Sequence, residues 1–181
     1  MKVTLFTSNN HRHTYLINLL SNICDELWVV QECRTLFTDK NDEKYKNINI
    51  IEKYFIKVLK AQNKIFKNEF ESINKRNIKT LPILTGELNN LPISYLDDFL
   101  KSDIYVIFGS SYIKGQLVDF LVKQKAINIH AGVSPYYRGA DCNFWALYDD
   151  NPHLVGSTIH LLSKGLDSGP MLYHAMSNLK T

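Results

Sequence analysis

Two short strand-like runs separated by a helix-length segment open this chain, and no other stretch limits the fold as much. Lys2 to Thr7, KVTLFT, is rich in β-branched and aromatic residues, and Glu26 to Gln31 repeats that character with Leu27, Trp28, Val29 and Val30. Between them, Ser8, Asn9 and Asn10 offer capping groups for a helix reaching about Cys24, with Leu16, Leu19, Leu20 and Ile23 on one face. A strand, a helix and a second strand in this order call for a right-handed crossover and a parallel pair.

The alternation continues. Glu43 to Asn68 places Ile48, Ile51, Phe55, Val58, Leu59, Gln62 and Phe66 at helical spacing. Leu81 to Leu84 is a short strand that Pro82 restricts to an edge or an end, and Ser94 to Lys101 reads as a small helix. Asp103 to Phe108, DIYVIF, is a core strand ended by Gly109, Ser110 and Ser111, after which Tyr112 to Gln124 forms a helix. The strand of Ile127 and Ile129 follows, then a helix from Cys142 to Tyr148 and strands from Val155 to Leu162 and from Met171 to Ala175. The fold class is therefore α/β, a mostly parallel sheet flanked by helices with a mixed tail end.

At 181 residues the chain suits one domain with a real core, and 45% hydrophobic against 22% charged residues excludes a disordered or repeat class. No apolar run reaches the length of a membrane span and the amino terminus lacks a signal-peptide pattern, so a cytoplasmic location with no membrane partner is expected. Cys24, Cys33 and Cys142 form no Cys-x-x-Cys pair and read as reduced thiols. The net charge of +3 is concentrated: Lys40 to Lys79 holds 11 Lys or Arg against 5 Asp or Glu. Aromatic residues do not alternate with these lysines, which argues for a solvated helix face and against a nucleic-acid partner.

Function concentrates in Ala126 to Gly139, AINIHAGVSPYYRG, and in Gly165 to Pro170, GLDSGP. Asn128 and His130 are two residues apart, so one strand face delivers an amide and an imidazole at its carboxyl end, where open α/β sheets bind ligands. Taken singly, Asn128 is also explained as a strand-end cap, His130 as a core histidine and Asp167 as a turn residue. The early loop SNNHRH could receive an anion through Asn9, Asn10 and Arg12 at a helix start, although a polar capped loop explains it as well.

Asn-x-His, then Pro-x-Tyr-Arg-Gly, the helix with Trp145, Ser-Thr-Ile-His and Gly-Leu-Asp-Ser-Gly occur in an order that resembles the folate-dependent formyltransferase family, from about Asp103 to His174. Members act on glycinamide ribonucleotide, methionyl-tRNA or amino sugars. The resemblance implies a Rossmann-like formyltransferase domain over residues 1–181, cut short at its carboxyl end relative to the family. It implies catalytic Asn128, His130 and Asp167, with Thr158 and His160 ordering the aspartate from behind. It further implies 10-formyltetrahydrofolate as formyl donor, held along Ser110, Ser111, Tyr112, Ile113 and Lys114 and by Gly165 and Leu166 before the aspartate.

Formyl transfer to an amine develops a negative oxygen and releases a proton. Asn128 and His130 are the donor types that chemistry needs, and a carboxylate such as Asp167 suits the proton. No metal is required, since an imidazole nitrogen that donates a hydrogen bond cannot also bind zinc. Tyr136, Tyr137, Arg138 and Gly139, with Asn9, Asn10 and Arg12, are candidate contacts to a small amine acceptor, which flat rings and a fixed cation make a nucleotide-linked amino sugar. The chain departs from the family at Ala131, Gly132, Val133 and Ser134, and TSNNHRH replaces the glycine-rich opening of the purine enzyme. Glycinamide ribonucleotide or methionyl-tRNA as acceptor, hydrolysis of the folate, and a binding module without turnover stay open, and a homodimer is compatible with all of them.

Overall fold

The computed structural model describes residues 1–34, 49–66 and 75–177. Seven strands form one sheet: β1 (Lys2–Ser8), β2 (Glu26–Cys33), β3 (Ile78–Leu84), β4 (Ile104–Phe108), β5 (Ile127–His130), β6 (Gly156–Leu161) and β7 (Met171–Met176). Their spatial order is β3-β2-β1-β4-β5-β6-β7. The pairs from β3 through β5 are parallel, while β5 with β6 and β6 with β7 are antiparallel. The expected class, and its mixed tail, are found. Pro82 lies in β3, an edge strand where a missing N–H costs no ladder bond.

Four α-helices are α1 (His11–Ser21), α2 (Asn49–Ile65), α3 (Gly115–Lys123) and α4 (Cys142–Tyr148). Side chains alternate across the sheet and build two cores. Phe6, Val30, Tyr105 and Ile107 pack with Leu117, Val118 and Leu121 of α3, whereas Val3, Leu5, Leu27 and Val29 pack with Ile17 of α1. Sheet order reverses between β1 and β4, the position at whose carboxyl ends open α/β sheets bind ligands.

Two expectations need correction. The buried face of α1 is His13, Thr14, Ile17, Asn18 and Ser21, while Leu19 and Ile23 are exposed. Only Leu16 and Leu20 of the expected stripe pack, and only partly, because the helix turns its polar residues inward to meet loops beside its ends. The helix expected from Ser94 to Lys101 is a single 3-10 turn, Ile93–Leu96. Of the long basic helix, Asn49 to Ile65 is helical, and the flanks from Glu43 and to Asn68, with Ile48 and the side chains of Ile51, Phe55 and Leu59, lie outside the described residues. Lys53, Lys57, Lys60 and Lys64 are exposed, as a solvated face requires. No helix among the described residues is long and apolar enough to cross a membrane.

Candidate active site

The antiparallel register of β5 with β6 sets Asn128 opposite His160 and His130 opposite Thr158. Residues directly opposite share a face, so four polar side chains gather on one side of a two-strand ribbon. His130, Thr158 and His160 are buried. Their hydrogen-bonding groups must therefore find partners within the protein.

Asp167 lies against three of the four side chains. The loop after β6 closes through the Leu161 amide donating to the Pro170 carbonyl at 2.9 Å. Gly169 sits so close to the Leu161 carbonyl that a Cβ there would lie 1.8 Å from its oxygen. Asp167 itself has φ 43, a left-handed conformation that Asp tolerates better than most residues. One carboxylate oxygen accepts the Asn128 amide at 3.1 Å and lies 3.7 Å from His160 Nε2. The other lies 3.2 Å from His130 Nδ1 and accepts the Gly139 amide at 2.9 Å. Burial alone would raise the Asp167 pKa, but the His160 contact, the Gly139 amide and the charge of His130 outweigh it and hold the carboxyl below its ordinary value. The same carboxylate raises the pKa of His160 against the opposing effect of burial.

Both ring nitrogens of His130 face acceptors, since Nε2 lies 3.0 Å from the Tyr137 carbonyl. The ring satisfies both only when it carries a proton on each nitrogen. His160 Nδ1 lies 2.8 Å from the Leu161 carbonyl and Nε2 lies 3.0 Å from the Asn128 amide nitrogen, the pattern of a neutral ring protonated on Nδ1. The two hydrogens of Asn128 are thus directed at His160 and Asp167. The side chain is therefore not poised toward open space, as a simple oxyanion donor would be.

The other expected residues fall into three groups. Thr158 does not touch Asp167: its hydroxyl donates to the Gly132 carbonyl at 2.7 Å and accepts the Ser134 amide at 3.0 Å, fixing the loop after His130. That loop contains a cis Ser134–Pro135 bond and exposes Tyr136 and Arg138. Tyr137 donates its hydroxyl to Asp149 at 3.1 Å. Leu166 is exposed beside Gly139, and Gly165 is exposed near Ser168.

Ser110 to Lys114 form the second group. Tyr112, Ile113 and Lys114 line a shallow depression of about 290 Å³ with Val118, Asp119 and Lys164. The Tyr112 hydroxyl donates to the Lys164 carbonyl, and Lys164 pairs with Asp119. Ser111 is held from behind by Glu32, whose buried carboxylate accepts the Ser111 amide at 2.5 Å, its hydroxyl at 2.7 Å and the Gly86 amide at 2.9 Å. Glu32 lies one residue past the expected strand end at Gln31, and a carboxylate so soon after the apolar run LWVV was the available signal. Ser134, expected only as a departure from the family, donates its hydroxyl to the Asp167 carbonyl at 3.1 Å.

Asn9, Asn10 and Arg12 form the third group, at the start of α1. Asn9 is tied to the Arg34 backbone by two hydrogen bonds, and buried Asn10 is the N-cap of the helix. Burial and the neighbouring Arg34 lower the Arg12 pKa, opposed by Asp141 and Tyr54. None of the three contacts the Asp167 cluster through a hydrogen bond among those described.

Beside that cluster, Cys142 is buried and its thiol is pushed up to about 11 by burial and by Asp167 and Asp141, which keeps it a thiol. Cys24, Cys33 and Cys142 are all free. Among the described residues no group of His, Cys, Asp or Glu is arranged to hold a metal ion.

Residues 98–180 match the Formyl transferase family, and over that part the chain is similar to the folate-dependent formyltransferases. A methionyl-tRNA formyltransferase of Thermosynechococcus vestitus is 38% identical over 73 residues, which is 40% of this chain and 22% of that protein. Glycinamide ribonucleotide transformylase 1 of Symbiobacterium toebii has the same fold at 14% identity, with a TM-score of 0.60 over 98% of this chain and 73% of that one. A 4-N formyltransferase of Francisella tularensis has a TM-score of 0.55 at 18% identity, over 99% of this chain and 57% of that one. The chain spans 21–22% of the length of three methionyl-tRNA formyltransferases that it matches and 42% of a fourth.

Proposed function

We propose that this chain transfers a formyl group from 10-formyltetrahydrofolate to a primary amine, and that the amine belongs to a nucleotide-linked sugar. The observation that carries the reading is the convergence of Asn128, His130 and His160 on the Asp167 carboxylate, with Gly139 completing it. A depressed carboxyl pKa keeps Asp167 ionised at neutral pH, the state in which it can take the proton an attacking amine must lose. His130, held by Asp167 on one side, presents Nε2 at the Tyr137 carbonyl, a contact that a developing negative oxygen can replace. Asn128 joins it by turning its amide away from His160, and catalytic hydrogen bonds commonly tighten only with substrate in place.

The folate supplies an activated formyl carbon. The Tyr112 ring, the apolar Ile113 and the exposed Lys114 suit a flat heterocycle with a carboxylate tail, and Glu32 fixes the loop that carries them. The exposed Tyr136 and Arg138 support a ring-bearing, anionic acceptor.

The test is a panel of amines incubated with 10-formyltetrahydrofolate and followed by mass spectrometry. Transfer to a nucleotide-linked amino sugar, with little to glycinamide ribonucleotide or charged initiator tRNA, is the expected outcome. Efficient formylation of glycinamide ribonucleotide would remove the sugar and keep the chemistry. Formate released without any amine would replace transfer by hydrolysis, and a silent panel would reject both.

A further inference from the structure

The basic stretch has no part in the reading above, yet α2 carries two of its lysines to a second depression. This hollow, of about 360 Å³, is bounded by Lys53, Tyr54 and Lys57 of α2 and by Phe144, Leu147 and Tyr148 of α4. Its aromatic side is built in a fixed order. Phe144 is buried, meets Tyr54 edge-on at 5.0 Å and stacks on Tyr148 at 5.9 Å, so the core fixes the ring against which Tyr148 lies. Trp145 packs edge-on against both Phe144 and Tyr148. Tyr148 is 65% exposed, Leu147 48% and Trp145 44%, a contiguous apolar surface at one end of a short helix. Such patches mark binding sites more often than scattered apolar residues do.

Chemistry narrows the occupant. A flat aromatic face pairs with a planar ring, and two exposed ammonium groups one helical turn apart, at positions i and i+4, pair with an anion of more than one charge. One ring and one short anionic linkage are what a nucleoside diphosphate offers. A nucleic-acid strand needs a run of rings and cations, and this hollow has room for a single set.

Position also fits. Gly139 donates to Asp167, and α4 begins three residues later. Asp141 lies between, acting electrostatically on both Arg12 and Tyr54. The hollow and the Asp167 carboxylate are thus at the two ends of one short segment, as the two ends of an elongated nucleotide-sugar would require.

We infer that the hollow between α2 and α4 holds the nucleoside diphosphate portion of the acceptor, the base against Tyr148 and the phosphates at Lys53 and Lys57. The inference rests on the amino-sugar reading but is tested without it. Uridine diphosphate, uridine and pyrophosphate are titrated into the full chain by calorimetry, with neither folate nor amine present. Uridine diphosphate should bind, more weakly as salt rises. Lys53→Glu combined with Lys57→Glu should weaken it by about tenfold or more and leave uridine unchanged. Tyr148→Ala should weaken uridine and the diphosphate alike, with circular dichroism confirming the fold of each variant. Quenching of fluorescence that disappears in Trp145→Phe would place the ligand beside α4. Absence of binding, or binding that none of these variants alters, overturns the inference, as does an oligonucleotide that binds far more tightly than the diphosphate. Asp167→Asn should bind the diphosphate normally; failure of the formyl-transfer reading would leave this result intact, and failure of the hollow would leave transfer dependent on Asp167.

Discussion

Asp167 shows how a residue's backbone decides which substitution is informative. At φ 43 the position suits Asp or Asn, whereas Ala there adds a conformational cost of roughly 1–2 kcal/mol. Asp167→Asn therefore isolates the charge. It should retain the fold and lose most formyl transfer, while Asp167→Ala loses transfer and stability together, as thermal unfolding beside a turnover assay would show. Asn128→Ala and His130→Ala should each raise the barrier by about 2.7–4 kcal/mol, the usual effect of removing one oxyanion donor. Near-normal turnover in both would remove them from the chemistry. At this scale Asn128 and His130 were legible, because two residues on a strand must share a face. Asp167 was not legible from spacing, because a long connection separates it from His130 and only the folded loop closes the gap. The direction of the Asn128 hydrogens was equally hidden, since it depends on His160 lying across the ribbon.

At the scale of elements, α1 is the instructive case. A leucine-rich stripe predicted its buried face, but the helix start is fixed by His13, 1% exposed, whose Nδ1 accepts the Asn10 amide at 3.2 Å. The ring stands edge-on to Phe108 at 4.8 Å, and its Nε2 would lie 2.3 Å from any Cβ placed on Gly109. Polar residues therefore rotate inward, and no hydrophobic pattern announces that. Burial, with Arg12 and Arg34 nearby, lowers the His13 pKa to about 3. Its unfolded value is about 6.5, so below that pH the unfolded chain binds a proton that the folded one refuses. The native state should thus keep its full margin above pH 6.5, lose about 2 kcal/mol from this residue by pH 5, and continue to lose stability toward pH 3. Urea unfolding of the native chain and of His13→Phe at pH 5 and pH 8 checks this: the variant should lack that part of the slope. An equal slope in both would assign it elsewhere.

For the whole molecule, a mostly parallel sheet with a mixed tail end was readable because the strands differ in kind, whereas their spatial order was not. IYVIF, Ile104 to Phe108, has no charged residue, as a strand covered on both faces requires, and INIH alternates. The loop geometry was not readable, since no periodic pattern governs it. The same assembly bears on metal dependence. His130 directs Nδ1 at Asp167 from 3.2 Å and its other nitrogen at the Tyr137 carbonyl, while His160 has Nε2 against the Asn128 amide and Nδ1 beside the Leu161 carbonyl, so these ring nitrogens are engaged in hydrogen bonds. Dialysis against a strong chelator should leave formyl transfer unchanged, and activity restored only by an added transition metal would contradict that arrangement. The polar groups that meet at Asp167 arrive from β5, β6 and the loops beside them, one unbroken stretch of the chain. Such a stretch is a self-contained cartridge: the opening strand and helix pair can be redrafted without touching any of the contacts that meet at Asp167.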